Sequence, residues 1–308
     1  SDLDNDHKIL NSSSLIPHDD TLLFTAAGMV PLKDYFMGLK EPPHINLASS
    51  QKCIRTVDID IVGETDRHLT FFEMLGNFSI DNYFKEDAIK FSYKFITEEL
   101  KVPSEDLWFT VYKDDDESYK IWKDVIGVPE DKIQKGDKDN FWHMNIPGPC
   151  GPCSEIFIDR GPEYGDDGGP IGGGEDRFIE IWNLVFMQSI QDEPYNVVDD
   201  LPAKNIDTGM GLERMAMVLQ EKDSPFEIDT FQNLYKELNK YIVNKDKKYE
   251  RIVLDHIKSA VFMISDGVVP TNEGRGYVLR RIIRRAVRAI YRLTDELISL
   301  EFLINIVI

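Results

Sequence analysis

The pattern of apolar and polar positions changes character near residue 222 of this 308-residue chain. Before that point, short apolar runs typical of strands alternate with turn residues, and after it apolar residues recur every three or four positions. Strand-like runs fall at 21–28, 67–74, 106–113 and 178–190, and helical patterns at 85–100, 114–127, 227–243, 249–267 and 274–292. The pattern predicts an α+β domain over residues 1–222 and a helical domain over 223–308.

The last helical pattern carries an unusual charge. Its sequence, "GRGYVLRRIIRRAVRAIYR", holds seven arginines and no acid, although the whole chain has a formal charge of −20. At 100° per residue, five arginines lie within about 60° of one direction, opposite an apolar face. These arginines are Arg281, Arg284, Arg285, Arg288 and Arg292, and the apolar face comprises Ile282, Ile283, Ala286, Val287 and Ile290. The charge indicates an anionic partner, either nucleic-acid phosphate or the acidic remainder of the protein.

Composition indicates a globular protein of a reducing compartment. Apolar residues make up 42% of the chain, three cysteines argue against a disulfide framework, and no apolar signal segment opens it. We therefore expect a cytoplasmic protein. The C-terminal run "LISLEFLINIVI" is shorter than the roughly 20 residues of a membrane span, so no membrane association is expected. It fits an amphipathic helix cut from a longer protein, or a native C-terminus docked in a core.

Two motifs favour structural interpretations over chemical ones. "GGGEDR" (172–177) lacks the lysine and hydroxyl residue of a phosphate loop and ends in two acids and an arginine, which predicts a flexible loop within 159–177. "PCGPC", with Cys150 and Cys153, is a lone CxxC without further ligands at zinc spacing. Its prolines and glycines predict a rigid turn with packed thiols, and neither a zinc site nor a redox site.

Basic residues flank a short acidic loop early in the chain. Arg55 ends a predicted strand, and Arg67 and His68 begin the next, with Phe71 and Phe72 further along it. Such a hairpin fits a site that grips phosphate and stacks a flat ring. A surface hairpin with core phenylalanines is the alternative.

The stretch "IDTGMGLER" is the second candidate site. Asp207 could take a cationic amine, and Arg214, in the first turn of a predicted helix, could face an anion or a ring. Gly209 and Gly211 between them would let the backbone approach a ligand. The alternative is a helix start whose charges face solvent.

Seven stretches together resemble, in order and spacing, the alanyl-tRNA synthetases over roughly residues 12–292. They are "SSSLIPHDDTLLFTAAGMVPLKDYFMG", "SQKCIR", "RHLTFFEMLGNFSIDNYFK", "GPCGPCSEI", "EIWNLVFMQ", "NIDTGMGLERM" and "NEGRGYVLRRIIRRAVR". The resemblance implies a class II synthetase fold: an antiparallel sheet flanked by helices, followed by a helical tRNA-recognition domain that is truncated here. It implies ATP-dependent activation of L-alanine, with Mg²⁺, and transfer to the 3′ end of tRNA(Ala). The family's editing and oligomerisation domains are missing from this chain, which resembles an N-terminal fragment.

The resemblance also assigns nucleotide-binding roles. Arg55 matches the arginine that holds the ATP α-phosphate, and Arg214 the one that completes the adenine sandwich and touches the γ-phosphate. In "RHLTFF" either His68 with Phe72 or Arg67 with Phe71 would face the site, because residues four apart share a strand face. We favour His68 and Phe72, with Phe72 stacking on adenine.

The alanine-binding roles follow in the same way. Asp207 matches the acid that binds the alanine amino group, Asn183 and Trp142 match walls of the amino-acid pocket, and Gly209 lets the backbone approach. Glu180 stands where an acid could hold Mg²⁺ against the ATP phosphates. No zinc site is expected in this fragment.

The arginine helix becomes a docking surface for the tRNA acceptor stem, through Arg281, Arg284, Arg285, Arg288 and Arg292. One departure from the family concerns the loop after Arg55, which here reads "TVDIDIVG". Many members have a longer loop with a lysine four residues after the arginine, where this chain has Ile59. That phosphate contact is absent or supplied elsewhere, and we still expect activity.

Three alternatives stay open from the sequence. A synthetase-derived binding or regulatory module is disfavoured because Arg55, Asp207 and Arg214 are all present. A pure nucleic-acid-binding protein is disfavoured by the acidic total charge. A CxxC redox or zinc protein lacks the partner ligands.

Overall fold

The computed structural model describes residues 6–296 and 298–308, so the extreme N-terminus and one position of the predicted C-terminal run lie outside the described residues. Within these ranges nine strands form one mixed sheet. They are β1 (Lys8–Leu10), β2 (Asn46–Ile54), β3 (Phe71–Ile80), β4 (Leu107–Tyr112), β5 (Ile133–Gly136), β6 (Phe141–His143), β7 (Gly148–Asp159), β8 (Phe178–Glu193) and β9 (Asn196–Gly211).

The strands are ordered β1-β2-β3-β9-β8-β7-β4-β5, with β6 beside β7. The pairs β4–β7, β6–β7, β7–β8 and β8–β9 are antiparallel. The two pairs at the ends of the order, β1–β2 and β4–β5, are parallel. The α+β class is confirmed, and the predicted antiparallel sheet is corrected to a mixed one because both edges are completed by parallel strands.

Helices account for most of the remaining regular structure. They are α1 (Lys33–Phe36), α2 (Lys85–Lys94), α3 (Asp116–Lys120), α4 (Gly169–Gly172), α5 (Leu212–Leu219), α6 (Asp229–Leu238), α7 (Lys247–Ser265), α8 (Gly274–Thr294) and α9 (Glu301–Val307). Helices α2 and α3 continue into π-helical turns, and the second of these ends at Gly127, whose φ of 85° is the left-handed conformation that glycine adopts freely. In the described residues, none of these helices has both the length and the apolarity needed to cross a membrane.

The chain forms two compact units with interleaved sequence. Unit 1 takes in the described parts of Ser1–Asn11, Leu32–Ser50 and Leu75–Gly211, and unit 2 those of Ser12–Pro31, Gln51–Met74 and Leu212–Ile308. The domain boundary near residue 222 stays a prediction.

Unit 2 is built on the helix pair α7 and α8. The predicted apolar face of α8 is mostly buried, since Ile282, Ala286 and Ile290 are at most 1% exposed. These helices share a core cluster with residues from the earlier segments of the unit. The cluster comprises Leu15, Phe24, Ile54, Ile59, Phe71, Ala260, Met263, Val268, Val278, Leu279 and Ile282. Burial of this apolar area positions the loop after β2 and the start of β3 beside α7 and α8.

Three local predictions were wrong. Residues 21–28 form no strand, because only Thr25 makes long-range backbone hydrogen bonds among the described contacts there, with Leu15 and Ile54, while Leu22 and Ala27 make local turn bonds with Asp19 and Val30. β3 begins at Phe71, so the preceding basic residues lie in the connection and not in the strand. The glycines after Asp207 form no turn, because β9 runs to Gly211 and α5 begins at the next residue.

The CxxC segment also differs from its prediction. "GPCGPC" opens β7 as an extended strand and not as a turn, with an irregularity between Cys150 and Cys153 that accommodates Pro152. The packed thiols are confirmed, since both cysteines are at most 1% exposed and burial raises their pKa values. Gly151 permits this packing, because a Cβ there would lie 2.0 Å from the Phe186 carbonyl oxygen.

We expect Gly151→Ala to lower the free energy of unfolding by about 1–3 kcal/mol, because the methyl group must push β7 away from β8. Gly172→Ala is the matched control, since a Cβ there would meet no atom within 4 Å. Urea unfolding of both variants measures the difference. Equal stability of the two variants would contradict the close packing of Gly151 against the Phe186 carbonyl.

Candidate functional site

Unit 2 holds the first group of predicted site residues around Arg55. This residue directly follows β2, and its N–H donates to the Thr70 carbonyl at 3.0 Å. Its Nε donates to the Ala26 carbonyl at 3.3 Å, and its guanidinium carbon lies 5.1 Å from the centre of the Phe72 ring. The backbone contacts orient the side chain, so the guanidinium stands beside a half-buried aromatic ring.

Neighbouring phenylalanines in β3 have opposite surroundings. Phe71 is fully buried and stacks on Phe262, with ring centres 4.1 Å apart. Phe72 points to the other face of the strand, toward Arg55. The structure thus places the favoured phenylalanine of the two registers beside the arginine. His68 lies in the connection before the strand, where its Nδ1 is 2.7 Å from the Thr65 hydroxyl.

Asp58 is a further candidate site residue, which the sequence interpretation missed. Burial raises the pKa of its carboxyl group, and the positive charges of His68, Arg55 and Arg214 oppose that rise. These three predicted nucleotide-binding residues are therefore close enough to act on one carboxylate. Arg67 is half-buried in the same connection and is not among these charges. An acid three residues after Arg55 was the available signal for Asp58.

Arg214 lies in the first turn of α5, which its neighbour anchors. Glu213 is 3% exposed, and its carboxylate accepts the Glu73 N–H at 3.0 Å. Lys258 Nζ lies 3.4 Å from the other oxygen. These two contacts link the start of α5 to β3 and α7. Burial raises the pKa of Glu213, and the charge of Lys258 opposes that rise.

Unit 1 holds the second group of predicted site residues, and a β-bulge between β7 and β8 brings two of them, Asn183 and Glu180, to one face of the sheet. In the β7–β8 pairing Glu155 faces Asn183, whereas Phe157 faces Glu180. Two positions on β7 thus correspond to three on β8, which leaves Ile181 as the extra residue. The bulge turns Glu180 to the sheet face that carries Asn183 and Glu155, whereas strict alternation would place it on the opposite face.

Glu155 orients the Asn183 side chain. Its carboxyl oxygens accept from Thr110 Oγ1 at 3.1 Å, Asn140 Nδ2 at 3.3 Å and Asn183 Nδ2 at 3.3 Å. Burial, reinforced by the charge of Glu180, raises the pKa of Glu155 to about 8. With Nδ2 held there, Asn183 Oδ1 is buried without a hydrogen-bond partner among the described residues, which leaves an acceptor for a ligand.

Asp207 provides a second open acceptor on that face. It faces Val185 across the β8–β9 pairing, and Gly209 faces Asn183, so Asp207 and Asn183 are diagonal neighbours. Asp207 is 6% exposed, and burial alone raises its pKa to about 7. Gly209 adds no side chain opposite Asn183. The arrangement suits a small cationic group with several N–H donors.

The remaining predicted residues lie elsewhere in their units. Trp142 is in β6 opposite Gly151, and β7 and β8 separate its strand from β9. On α8, Arg284, Arg288 and Arg292 are exposed, as the helical periodicity predicts. Arg281 pairs with Asp60, and Arg285 is half-buried with internal partners.

The family model described as "tRNA synthetases class II (A)" matches residues 3–308. The chain belongs to the class II tRNA synthetases. This class II synthetase chain is 49% identical over 309 residues to the alanine–tRNA ligase of Thermobifida fusca, covering 95% of this chain and 35% of that protein. It is 53% identical over 292 residues to the alanine–tRNA ligase of Chromohalobacter salexigens, and the match covers 92% of this chain and 33% of that protein.

The class II synthetase chain spans about a third of the length of these curated relatives. Among solved structures, apo histidyl-tRNA synthetase of S. aureus aligns with a TM-score of 0.47 at 11% identity, over 83% of this chain and 72% of that one. The family inferred from the motifs is confirmed. The roles of individual residues stay predictions.

We expect the free energy of unfolding of the wild-type chain, compared with that of the Asp207→Asn variant, to fall as pH rises between about 4 and 7. The folded protein holds a proton on Asp207 up to a pKa of about 7, whereas the unfolded chain releases it near the ordinary aspartate pKa of 3.8. The folded state binds more protons in this window, so wild type loses up to about 4 kcal/mol relative to the variant. Urea unfolding at pH 4, 6 and 8 measures the difference. A difference that does not change with pH would contradict the buried, unpaired state of Asp207.

Proposed function

We propose that this chain is the aminoacylation part of an alanine–tRNA ligase, which activates L-alanine with ATP and transfers it to the 3′ end of tRNA(Ala). The observation that carries the proposal is the pair of buried, open acceptors, Asp207 and Asn183 Oδ1, on one face of the sheet in unit 1. The names of the two relatives also support it, because both are alanine–tRNA ligases, with 49% and 53% sequence identity to this chain.

The alanine ammonium group fits these acceptors chemically. Asp207 offers a carboxylate, and an ammonium beside it would favour the ionised form and so lower the raised pKa. Asn183 offers its carbonyl oxygen because Glu155 holds its amide nitrogen. Gly209 leaves space opposite Asn183. Trp142, which lies on β6 beside β7, would form a wall of the pocket, as the resemblance to the family implies.

The nucleotide would bind in unit 2. Arg55 would hold the α-phosphate, Phe72 would stack on adenine, and Arg214 would cover the ring and contact the γ-phosphate. The contact of the Arg55 guanidinium with Phe72 supports this arrangement, as do the charges of Arg55, Arg214 and His68 around Asp58. Arg67 is the alternative to His68 in this role.

Glu180 is the proposed magnesium ligand. The ion prefers oxygen ligands and keeps waters and phosphate oxygens in its shell, so one or two protein carboxylates suffice. The bulge that turns Glu180 toward the face of Asn183 fits this role. When bound, Mg²⁺ would neutralise charge on the ATP phosphates.

The chemistry needs positioning more than covalent assistance. The alanine carboxylate attacks the α-phosphorus of ATP, the bond to the bridging oxygen breaks, and pyrophosphate leaves. A hydroxyl of the terminal tRNA ribose then attacks the carbonyl carbon, and AMP leaves. Arg55 and Arg214 would stabilise the developing phosphate charge, while Asp207 would fix the amine so that the carboxylate is directed correctly.

The selectivity of such a pocket has a physical limit. Larger amino acids are excluded sterically, but loss of one methyl group costs glycine only about 1–3 kcal/mol. Serine is also rejected weakly. A separate editing function, as the relatives' greater length allows, would correct these errors.

The arginine face of α8 would dock the tRNA acceptor stem. Arg284, Arg288 and Arg292 are exposed, and Arg281 and Arg285 lie on the same side with internal partners. Phosphate attraction is local here, because the chain as a whole is strongly acidic. The three free cysteines suit the cytoplasmic setting that the proposal includes.

We expect this chain to catalyse alanine-dependent ATP–pyrophosphate exchange, and Asp207→Ala to reduce it at least about a hundredfold, because the ammonium group loses its charged partner. Asp131→Ala removes an exposed acid of the same unit and is the control. If alanine supports no more exchange than glycine or valine, the proposed substrate is wrong.

We expect the double variant Arg284→Glu/Arg288→Glu to reduce charging of a tRNA(Ala) acceptor minihelix more than tenfold, because four units of charge change on the docking face. Pyrophosphate exchange should be retained, since it needs no tRNA. Lys236→Glu/Lys240→Glu makes the same change in charge at exposed lysines on α6 and in the turn after it, and this variant should charge the minihelix normally. Equal losses of charging and exchange in the α8 variant would remove the docking role.

A further inference from the structure

Arg285 has four hydrogen bonds inside unit 2, although helical periodicity places it on the arginine face. Its Nη1 donates to the Ile59 carbonyl at 2.6 Å and contacts His256 Nε2 at 3.0 Å. Its Nη2 donates to the Val62 carbonyl at 3.2 Å and the Asp60 carbonyl at 3.3 Å. A guanidinium with these partners is a structural clamp on a loop.

The clamped loop is the short segment that follows Arg55. The side chains of Ile59 and Val62 are fully buried, and Ile59 belongs to the unit 2 core cluster. Arg285 binds the carbonyl oxygens of the same residues, and Arg281 pairs with the Asp60 carboxylate. The loop is therefore fixed by apolar burial and by the two arginines, with no lysine of its own.

The contact with His256 continues into a buried chain of polar groups. An arginine can only donate, so His256 Nε2 accepts and its Nδ1–H donates to Asp255 Oδ2 at 2.7 Å. Asp255 Oδ1 accepts the Thr70 N–H at 2.7 Å. His256, Asp255 and Thr70 are all at most 1% exposed, so each hydrogen bond is expensive to leave unmade.

Thr70 links this chain to the candidate nucleotide group. Its carbonyl accepts the Arg55 N–H at 3.0 Å, and it stands two residues before Phe72. The backbone on which both Arg55 and Phe72 depend is therefore held by Asp255. Asp255 in turn accepts from His256, which accepts from Arg285.

We propose that Arg285 is a positioning residue for nucleotide binding, which holds the Ile59–Val62 loop directly and the Arg55–Phe72 pair through His256, Asp255 and Thr70. The inference rests on the proposed nucleotide role of Arg55 and Phe72. It gives Arg285 a task in adenylate formation that needs no tRNA, unlike that of its exposed neighbours on α8.

The test measures ATP affinity without alanine or tRNA, by titration calorimetry, and the KM for ATP in pyrophosphate exchange. We expect Arg285→Gln to raise the dissociation constant and the KM for ATP about tenfold, as for loss of one well-placed polar contact, while the KM for alanine changes less than twofold. Arg280→Gln, an exposed arginine of the same helix, is the control with the same loss of charge. Wild-type ATP affinity and KM in Arg285→Gln would overturn the inference.

A second pair of variants tests the buried chain itself. The amide of Gln can accept from Arg285 and donate to Asp255, whereas Leu can do neither, so His256→Gln should retain ATP affinity better than His256→Leu by several fold. Equal ATP affinity in the two would overturn the role of the chain. Thermal unfolding shows whether each variant is folded, and if Arg285→Gln does not fold, the His256 pair decides the outcome.

The result is separable from the substrate proposal. Wild-type protein that binds ATP but shows no alanine-dependent exchange would refute alanine as substrate, and the ratio of ATP affinities would still test Arg285. Wild-type protein that binds no ATP would overturn this inference together with the nucleotide role of unit 2.

Discussion

The buried carboxylate of Asp255 is the contact on which unit 2 depends. The oxygens of a carboxyl group taken out of water need hydrogen-bond partners, and here one oxygen accepts the Thr70 N–H and the other the His256 ring N–H. These bonds tie α7 to the residues before β3 and, through Arg285, to α8 and the loop after Arg55. Removing the carboxylate would leave the buried Thr70 N–H and the His256 ring N–H without this acceptor.

On the sheet face that carries Asn183, unit 1 buries polar groups whose hydrogen-bonding capacity is not fully used. Asn183 Oδ1 is buried without a partner among the described residues, burial alone raises the pKa of Asp207 to about 7, and Glu155 has a pKa of about 8 beside Glu180. These groups oppose folding, since burial of an unpaired acceptor costs free energy. A ligand with N–H donors would satisfy them, which is why such departures from full pairing mark binding sites.

Helix α8 serves two purposes with one sequence. Its apolar face packs into the unit 2 core. On its arginine face, some side chains are exposed to solvent and others bond to residues of the same unit. Arg284 and Arg288 are exposed, whereas Arg285 donates to three loop carbonyls. The loop after Arg55 lacks a lysine, and its fixed shape comes from this helix.

Sequence by itself determined the features that depend on local pattern. Helices α7 and α8 and strand β8 follow from the spacing of their apolar residues, and the order of the motifs identified the family. Tertiary structure alone decided which residues meet. The bulge at Ile181 brings Glu180 to the face of Asn183. Phe71 packs on Phe262, so its neighbour Phe72 faces Arg55. Arg285 donates to backbone carbonyls that are distant in sequence. Each depends on a partner strand or helix far away in the chain, which periodicity along one segment does not contain.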